Sequence, residues 1–330
     1  MKDNPLITII LPVRNEGSYI RRCLDSILDQ TISKDLLEVL VIDGNSDDAT
    51  PEIVRSYSRQ FRYIKLLKNP EQNTIDALNL GIKNASGDFI VRVDGHSYLE
   101  KDYIEQCIKA LECTDADNVG GGMRPVGDTY LQKAIAFATS SVFGIGRGKF
   151  HYSDKKEYVD TVYLGAFRRQ VFDKVGSYDP EMHYSEDNEL NLRIAKKGGK
   201  ILLSPKIRSY YFPRESLKEV WRQYFKYGYF KPKVLQKHNL SISFRHFVPA
   251  FLVASLVATA TLSFFRPLFG YFFYGIFACY LSISFLFSLY ISINNGIRYL
   301  PIMPIVFATL HLSYGTGFIK GLLDFLLLKK

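Results

Sequence analysis

The sequence predicts an α/β fold on a mainly parallel sheet, followed by apolar helices, and three observations carry that prediction. Strand and helix signals alternate from the N-terminus to about residue 93. Polar clusters fall at the ends of successive strand signals. Beyond residue 246 charged residues all but vanish: Phe247 to Phe265 and Pro267 to Ile297 contain no Asp, Glu, Lys or Arg. Strand, helix, strand at this rhythm means crossover connections and so parallel pairing.

The elements follow in order. Leu6 to Val13, LITIILPV, is a short β-branched run, and Ser18 to Gln30 carries Ile20, Cys23, Leu24, Ile27 and Leu28 at helical spacing. Leu36 to Ile42 is the second strand; it runs into Asp43-Gly44-Asn45-Ser46-Asp47-Asp48 and a helix from Pro51 to Tyr57. Tyr63 to Leu67 is a third strand, Thr74 to Asn84 a helix, and Asp88 to Val93 a fourth strand.

Ligands of such sheets bind beyond the carboxyl ends of the strands. Pro12 to Glu16, Asp43 to Asp48 and Asp94 to His96 all fall there. One such cluster is what turn chemistry alone would give, but three at successive strand ends favour a ligand. No G-x-G-x-x-G follows the first strand and no G-x-x-x-x-G-K-[ST] occurs, so a dinucleotide dehydrogenase or P-loop enzyme is poorly supported. Without a glycine cradle, a bound diphosphate needs a divalent metal held by an acid. Asp94, and His96 two residues on, can reach one side and supply two ligands; the imidazole leans the choice toward Mn²⁺ over Mg²⁺. The competing reading makes Asp94 a helix cap and His96 a turn residue.

Charge-free runs of this length are the mark of membrane spans. A third apolar stretch, Tyr299 to Ile319, is broken by Pro301, Pro304, His311, Gly315 and Gly317; it either spans or lies in the interface. Lys329 and Lys330 follow it. Between Arg193 and Arg245 fourteen Lys or Arg meet two acids, Glu215 and Glu219, a local excess larger than the whole-chain net charge of +9. A basic segment before the first span fits the positive-inside rule and anionic lipid, which explains the charge without nucleic acid. No cleavable leader opens the chain, because the apolar run Pro5 to Val13 passes straight into Arg14, so the polar part is expected in the cytosol. Cys23, Cys107, Cys113 and Cys279 form no C-x-x-C pair and read as thiols of a reducing compartment.

ITIILPVRNE, VLVIDGNSDDAT, NLGIKNASGDFIVRVDGHS and SEDNELNLRIAKKGG, in this order, resemble the successive motifs of family 2 glycosyltransferases with the GT-A fold, over roughly Pro5 to Lys237. In DGH, SEDNELN, YYFPRESL and RQYFKYG followed by apolar spans, the chain is similar to the succinoglycan-biosynthesis type of membrane-associated exopolysaccharide glucosyltransferase. The resemblance implies a GT-A domain over residues 1–237, with a basic, aromatic interface segment near 212–237, and a membrane region over 238–330 of two to three transmembrane or interfacial helices. It implies that Pro12, Arg14 and Glu16 line the nucleotide pocket, that Asp43 recognises the base, and that Asp94 sits at the ribose and metal. His96 stands where the family's D-x-D motif has its second acid.

The family's ED motif matches Glu186-Asp187, which implies Asp187 as the base of an inverting transfer and Glu186 as an acceptor contact; read by themselves, these residues are also the acidic first turn of an amphipathic helix. Gly122, with Gly120, Gly121 and Gly165, would let a sugar approach the backbone, and Arg214 and Arg222 are candidates for a diphosphate or for lipid anchoring. The expectation is an inverting transfer of a hexose, glucose from UDP-glucose, to a lipid-linked saccharide, by a multi-pass enzyme of the cell membrane with a cytoplasmic catalytic domain. Loading of polyprenyl phosphate with one sugar, processive synthesis, and an inactive nucleotide-sugar-binding scaffold stay open beside it.

Overall fold

The computed structural model describes residues 6–146, 150, 153–238 and 247–327. Arg245, Lys329 and Lys330 lie outside them. The chain forms two compact units, residues 1–124 with 149–211, and residues 125–148 with 212–330. In chain order the first part runs β1 (Ile7–Val13), α1 (Ile20–Leu28), β2 (Leu37–Asp43), α2 (Thr50–Gln60), β3 (Ile64–Lys68), α3 (Thr74–Asn84), β4 (Phe89–Arg92), β5 (Ser97–Leu99), α4 (Tyr103–Glu112) and β6 (Asn118–Pro125). There follow α5 (Tyr130–Thr139), α6 (Val142–Ile145), β7 (Glu157–Tyr158), β8 (Tyr163–Arg168), α7 (Gln170–Val175), α8 (Glu186–Lys196) and β9 (Ile201–Tyr211). The last helices are α9 (Leu217–His238), α10 (Val248–Ser263), α11 (Leu268–Asn295) and α12 (Met303–Gly321).

The first unit is a mixed sheet in the order β3-β2-β1-β4-β8-β6-β9-β5, with β7 on β9. The predicted parallel core is present: β1 pairs with β2 and β4, and β2 with β3. Beyond β4 the pairing turns antiparallel, with β8 on β4 and β6 on β8. Side chains alternate between the two faces of each strand. Ile7, Ile9, Leu11, Val39, Val41, Val91 and Val93 pack with Leu24, Val54 and Ile104 of α1, α2 and α4. Ile10, Leu40, Ile42 and Ile90 pack with Leu78, Phe172 and Leu190 of α3, α7 and α8. Each such side chain contributes roughly 1.5–3 kcal/mol when removed from water, so both faces are tied down and the strand ends are held in place. The helix predicted at Thr74 to Asn84 has those bounds, set by the Asn73 side chain accepting from the Asp76 amide at 2.9 Å.

The second unit is helical. Among the described residues one helix, α11, is long and apolar enough to cross a membrane; α10 is apolar but has 16 residues. Of the several spans expected, α11 alone among the described residues combines the length with the apolar character; α12 has 19 residues but is less apolar, and about half of them are buried within the unit. Its glycines, read from sequence as interruptions, are contact points. A side chain on Gly317 would collide with the Phe225 carbonyl of α9, one on Gly321 with Tyr229, and one on Gly315 with Pro249 of α10. Gly228 of α9 meets Tyr314 in return. Small residues four apart let helix backbones approach closely, so α12 packs tightly against α9 and α10. α11 instead leaves large apolar side chains uncovered, Tyr271 at 77 % exposure and Tyr290 at 68 % among them.

Candidate active site

The strand order places β1 between β2, which continues outward to β3, and β4, which starts the other half of the sheet. That reversal opens a crevice beyond the carboxyl ends of β1 and β4. Pro12, Arg14 and Glu16 leave β1 there, Asp43 ends β2, and Asp94 and His96 follow β4.

The first two loops are locked together by short polar contacts. The Ser46 hydroxyl accepts from the Asn15 amide at 2.9 Å and donates to Asp43 at 2.6 Å, while the Asp47 amide donates to the Asn15 side chain at 3.0 Å. The Thr50 hydroxyl accepts from the Glu16 amide at 2.8 Å. Asn15 and Asn45 take positive φ values, 55° and 58°, which Asn tolerates better than most residues. Arg14 reaches to Gln72, donating to its backbone oxygen at 3.0 Å and to its side chain at 2.9 Å.

The centre of the crevice is a residue that sequence reasoning missed. Arg92 has the parity of Ile90 on β4, so its side chain emerges on the face covered by α8. It is 7 % exposed. Its Nε donates to Asp94 Oδ1 at 3.0 Å, its Nη1 to Asp187 Oδ1 at 2.6 Å, and its Nη2 to Glu186 Oε1 at 3.4 Å. Burial works against the charge, but Asp187, Asp94 and Glu186 hold the guanidinium protonated. The available signal was a lone cation inside the apolar strand FIVRV, where a charge needs a partner.

The partners arrive from far along the chain. Asn79 of α3 clips the segment before α8 by donating to the Tyr178 carbonyl at 2.8 Å and accepting from its amide at 2.9 Å. Tyr184, at φ 59°, then turns the chain into α8, whose first two residues are Glu186 and Asp187. The acidic first turn and the convergence on Arg92 are therefore features of the same two side chains. Asp187 keeps 36 % of its side chain accessible, against 13 % for Glu186 and 16 % for Asp94. Of the three it is the most accessible. Burial of its surroundings, opposed by Arg92 and reinforced by Glu186 and Asp94, pushes Asp187 up to about 7.

His96 turns its Nδ1 to Glu16 Oε1, 2.9 Å away, and packs edge-on against Tyr211 with ring centres 5.1 Å apart. A carboxylate accepts, so Nδ1 is the donor to Glu16, and Nε2 is the ring nitrogen outside that bond. Asp94 likewise commits one oxygen to Arg92 and retains the other. No group of three or more His, Cys, Asp or Glu among the described residues is arranged to hold a metal alone. Asp94 and His96 offer one carboxylate oxygen and one ring nitrogen, donor types that suit a divalent cation.

The other predicted residues are dispersed. Gly122 lines a separate cavity of ≈ 260 Å³ with Met123, Arg124, Phe150, Ser153, Asp154 and Pro205, none of them in the Arg92 cluster. Gly121 and Gly165 are closed in: a side chain would meet the Ile207 backbone at the first and Asn118 with Phe167 at the second. Arg214 and Arg222 belong to the second unit and are exposed, before and on α9.

Comparison with known proteins agrees with this architecture. The chain is 28 % identical over 324 residues to succinoglycan biosynthesis protein ExoA of Rhizobium meliloti (strain 1021), covering 96 % of this chain and 95 % of that protein. It is 27 % identical over 326 residues to a dolichyl N-acetyl-α-D-glucosaminyl phosphate 3-β-D-2,3-diacetamido-2,3-dideoxy-β-D-glucuronosyltransferase of Methanococcus voltae, with 96 % and 97 % covered. The mannosyltransferase PcManGT of Pyrobaculum calidifontis, solved with GDP-Man and Mn²⁺, superposes with a TM-score of 0.62 at 20 % identity over 97 % of this chain and 88 % of that one, which shows the shared GT-A fold. The description Glycosyl transferase family 2 matches residues 8–176, and the chain belongs to that family.

Proposed function

We propose that the protein is an inverting glycosyltransferase that moves a hexose, glucose from UDP-glucose, to a lipid-linked saccharide in the synthesis of an exopolysaccharide or surface glycan. The observation that carries this reading is Asp187: a carboxylate raised to about 7, partly accessible, and joined through Arg92 to Asp94 beyond the end of β4. A general base works best with a pKa near the operating pH. Asp187 takes the proton of the acceptor hydroxyl as that oxygen bonds to the sugar carbon, and the nucleoside diphosphate leaves from the opposite face. Glu186 contacts the acceptor beside it.

Pro12, Arg14, Glu16 and Asp43 hold the nucleotide, and Asp94 with His96 holds a divalent metal, Mn²⁺ in preference to Mg²⁺. A metal bound there would neutralise charge on the departing diphosphate. A lipid-linked acceptor is supported by the name of the Methanococcus relative, whose substrate is a dolichyl-linked sugar phosphate, and by the uncovered apolar side chains of α11. Such an acceptor keeps its reacting end near head-group height, which suits a cytoplasmic catalytic unit held to the membrane by α11. Arg214, Arg222 and the basic face of α9 then meet lipid or substrate phosphate.

A panel of nucleotide sugars offered to the protein in detergent, with total membrane lipid as acceptor and with Mn²⁺, Mg²⁺ or EDTA, tests the reading. One donor should release its nucleoside diphosphate in a metal-dependent way. Asp94→Ala and Asp187→Asn should each lower turnover by at least about 100-fold. Full turnover by Asp187→Asn removes its role as base, and no turnover of any donor favours a binding scaffold.

A further inference from the structure

We propose that Arg92 is a positioning residue for the transfer: it fixes the orientation of Asp187 and ties it to Asp94, so that the base and the donor-side carboxylate are aligned by one guanidinium. The inference rests on the reading of Asp187 as base, and goes beyond it by assigning a role to a side chain that acts through the carboxylates it holds.

Three features of the geometry carry it. The first is connectivity. Asp94 lies two residues beyond Arg92, whereas Glu186 and Asp187 arrive from α8, and the guanidinium bonds to both sides, at 3.0 Å to Asp94, 3.4 Å to Glu186 and 2.6 Å to Asp187. The second is rigidity. Arg92 ends a strand paired on both edges, with β1 through the Ile10–Arg92 register and with β8 through Val91–Ala166, so its backbone is fixed by the sheet. Its planar fork offers donors at set angles and loses little freedom on binding. The third is charge. One buried cation is shared among three acids, so removing it takes away the charge that holds Asp94, Glu186 and Asp187 together. What the arrangement does supply is direction, because each carboxylate keeps one oxygen on Arg92 and turns the rest of the group elsewhere. A carboxylate displaced by about 1 Å from its productive position can lose on the order of 100-fold in rate.

The test uses the full-length protein in detergent, with Arg92→Ala, Arg92→Lys and Asp187→Asn measured in parallel for kcat, donor KM and thermal midpoint. For Arg92→Ala, kcat should fall by about 100-fold while donor KM moves by less than about 10-fold, and millimolar methylguanidinium should recover at least about a tenth of the lost turnover by refilling the vacated place. Arg92→Lys keeps the charge without the fork and should recover little of the rate. Turnover of Arg92→Ala within about threefold of wild type overturns the proposal, as does a large loss that methylguanidinium leaves untouched while the melting transition is retained. If Arg92→Ala does not fold, Arg92→Lys decides: wild-type kcat overturns the proposal and a kcat loss at an unchanged midpoint supports it. Undiminished turnover in Asp187→Asn removes the base itself, a failure distinct from any result at Arg92.

Discussion

Asp187 illustrates how one side chain is tuned by its neighbours. An aspartate ordinarily titrates near ~3.9, and here burial, with Glu186 and Asp94, lifts it to about 7 against the pull of Arg92. The base must be deprotonated to accept a proton, so the active fraction grows with pH and is half-maximal at the folded pKa. Turnover at low substrate should therefore rise with pH up to about 7 and fall roughly tenfold per unit below it. A pH–rate profile from 5 to 9 checks this; an acid limb centred near 4 would mean that Asp187 is not desolvated in the working enzyme. The acidic pair was legible in the sequence because Glu186 and Asp187 are adjacent in a recognisable motif. Arg92 was not, since its meaning depends on partners 94 and 95 positions away.

At the scale of elements, Glu38 shows what holds the parallel core in register. It lies opposite Thr8 in the β1–β2 ladder, and its carboxylate accepts from the Thr8 hydroxyl at 2.8 Å, the Ser86 amide at 3.0 Å and the Lys65 ammonium at 2.8 Å. One side chain thus ties β1, β2, β3 and the entry to β4. Burial alone would raise its pKa, but Lys65, Ser86 and Thr8 together hold it below the usual glutamate value. A depressed folded pKa means stability present above the unfolded carboxylate pKa and lost as pH falls through the folded one. Glu38→Gln should destabilise the protein by about 1–3 kcal/mol at pH 7, and the gap from wild type should close toward pH 3. Urea midpoints in detergent at the two pH values measure it; an equal gap at both would show that packing, and not charge, is what the residue contributes. The four predicted strands and three helices of this core lie where their periodicity put them, within one or two residues at most ends. The antiparallel strands β6, β8 and β9 were not read from the sequence, because their partners are distant and glycine-rich pairing leaves no period-2 signal.

For the whole molecule, the decisive quantity is uncovered apolar surface. α10, the turn after it and α11 expose Phe251 at 72 %, Phe264 at 88 % and Tyr271 at 77 %, large apolar side chains of the kind that mark a membrane or partner surface. α9 adds cations, which attract anionic head groups but lose that attraction in salt. These two modes separate experimentally. The chain should sediment with membranes after washing in about 1 M salt, where charge attraction is screened, and be released by detergent. Release by salt alone would mean that α9 and not α11 holds it there.

The sequence by itself determined the family, the parallel half of the sheet, the loops that border the crevice and the apolar character of the C-terminal region. Each of these is written in local order: period, turn residues, and motifs of adjacent side chains. Only the tertiary structure decided that Arg92 gathers Asp94, Glu186 and Asp187, that His96 is oriented by Glu16, and that the glycines of α12 are helix contacts and not breaks. Those outcomes depend on which side chains meet across the fold, and a buried charge or a close helix approach takes its meaning from the partner that satisfies it.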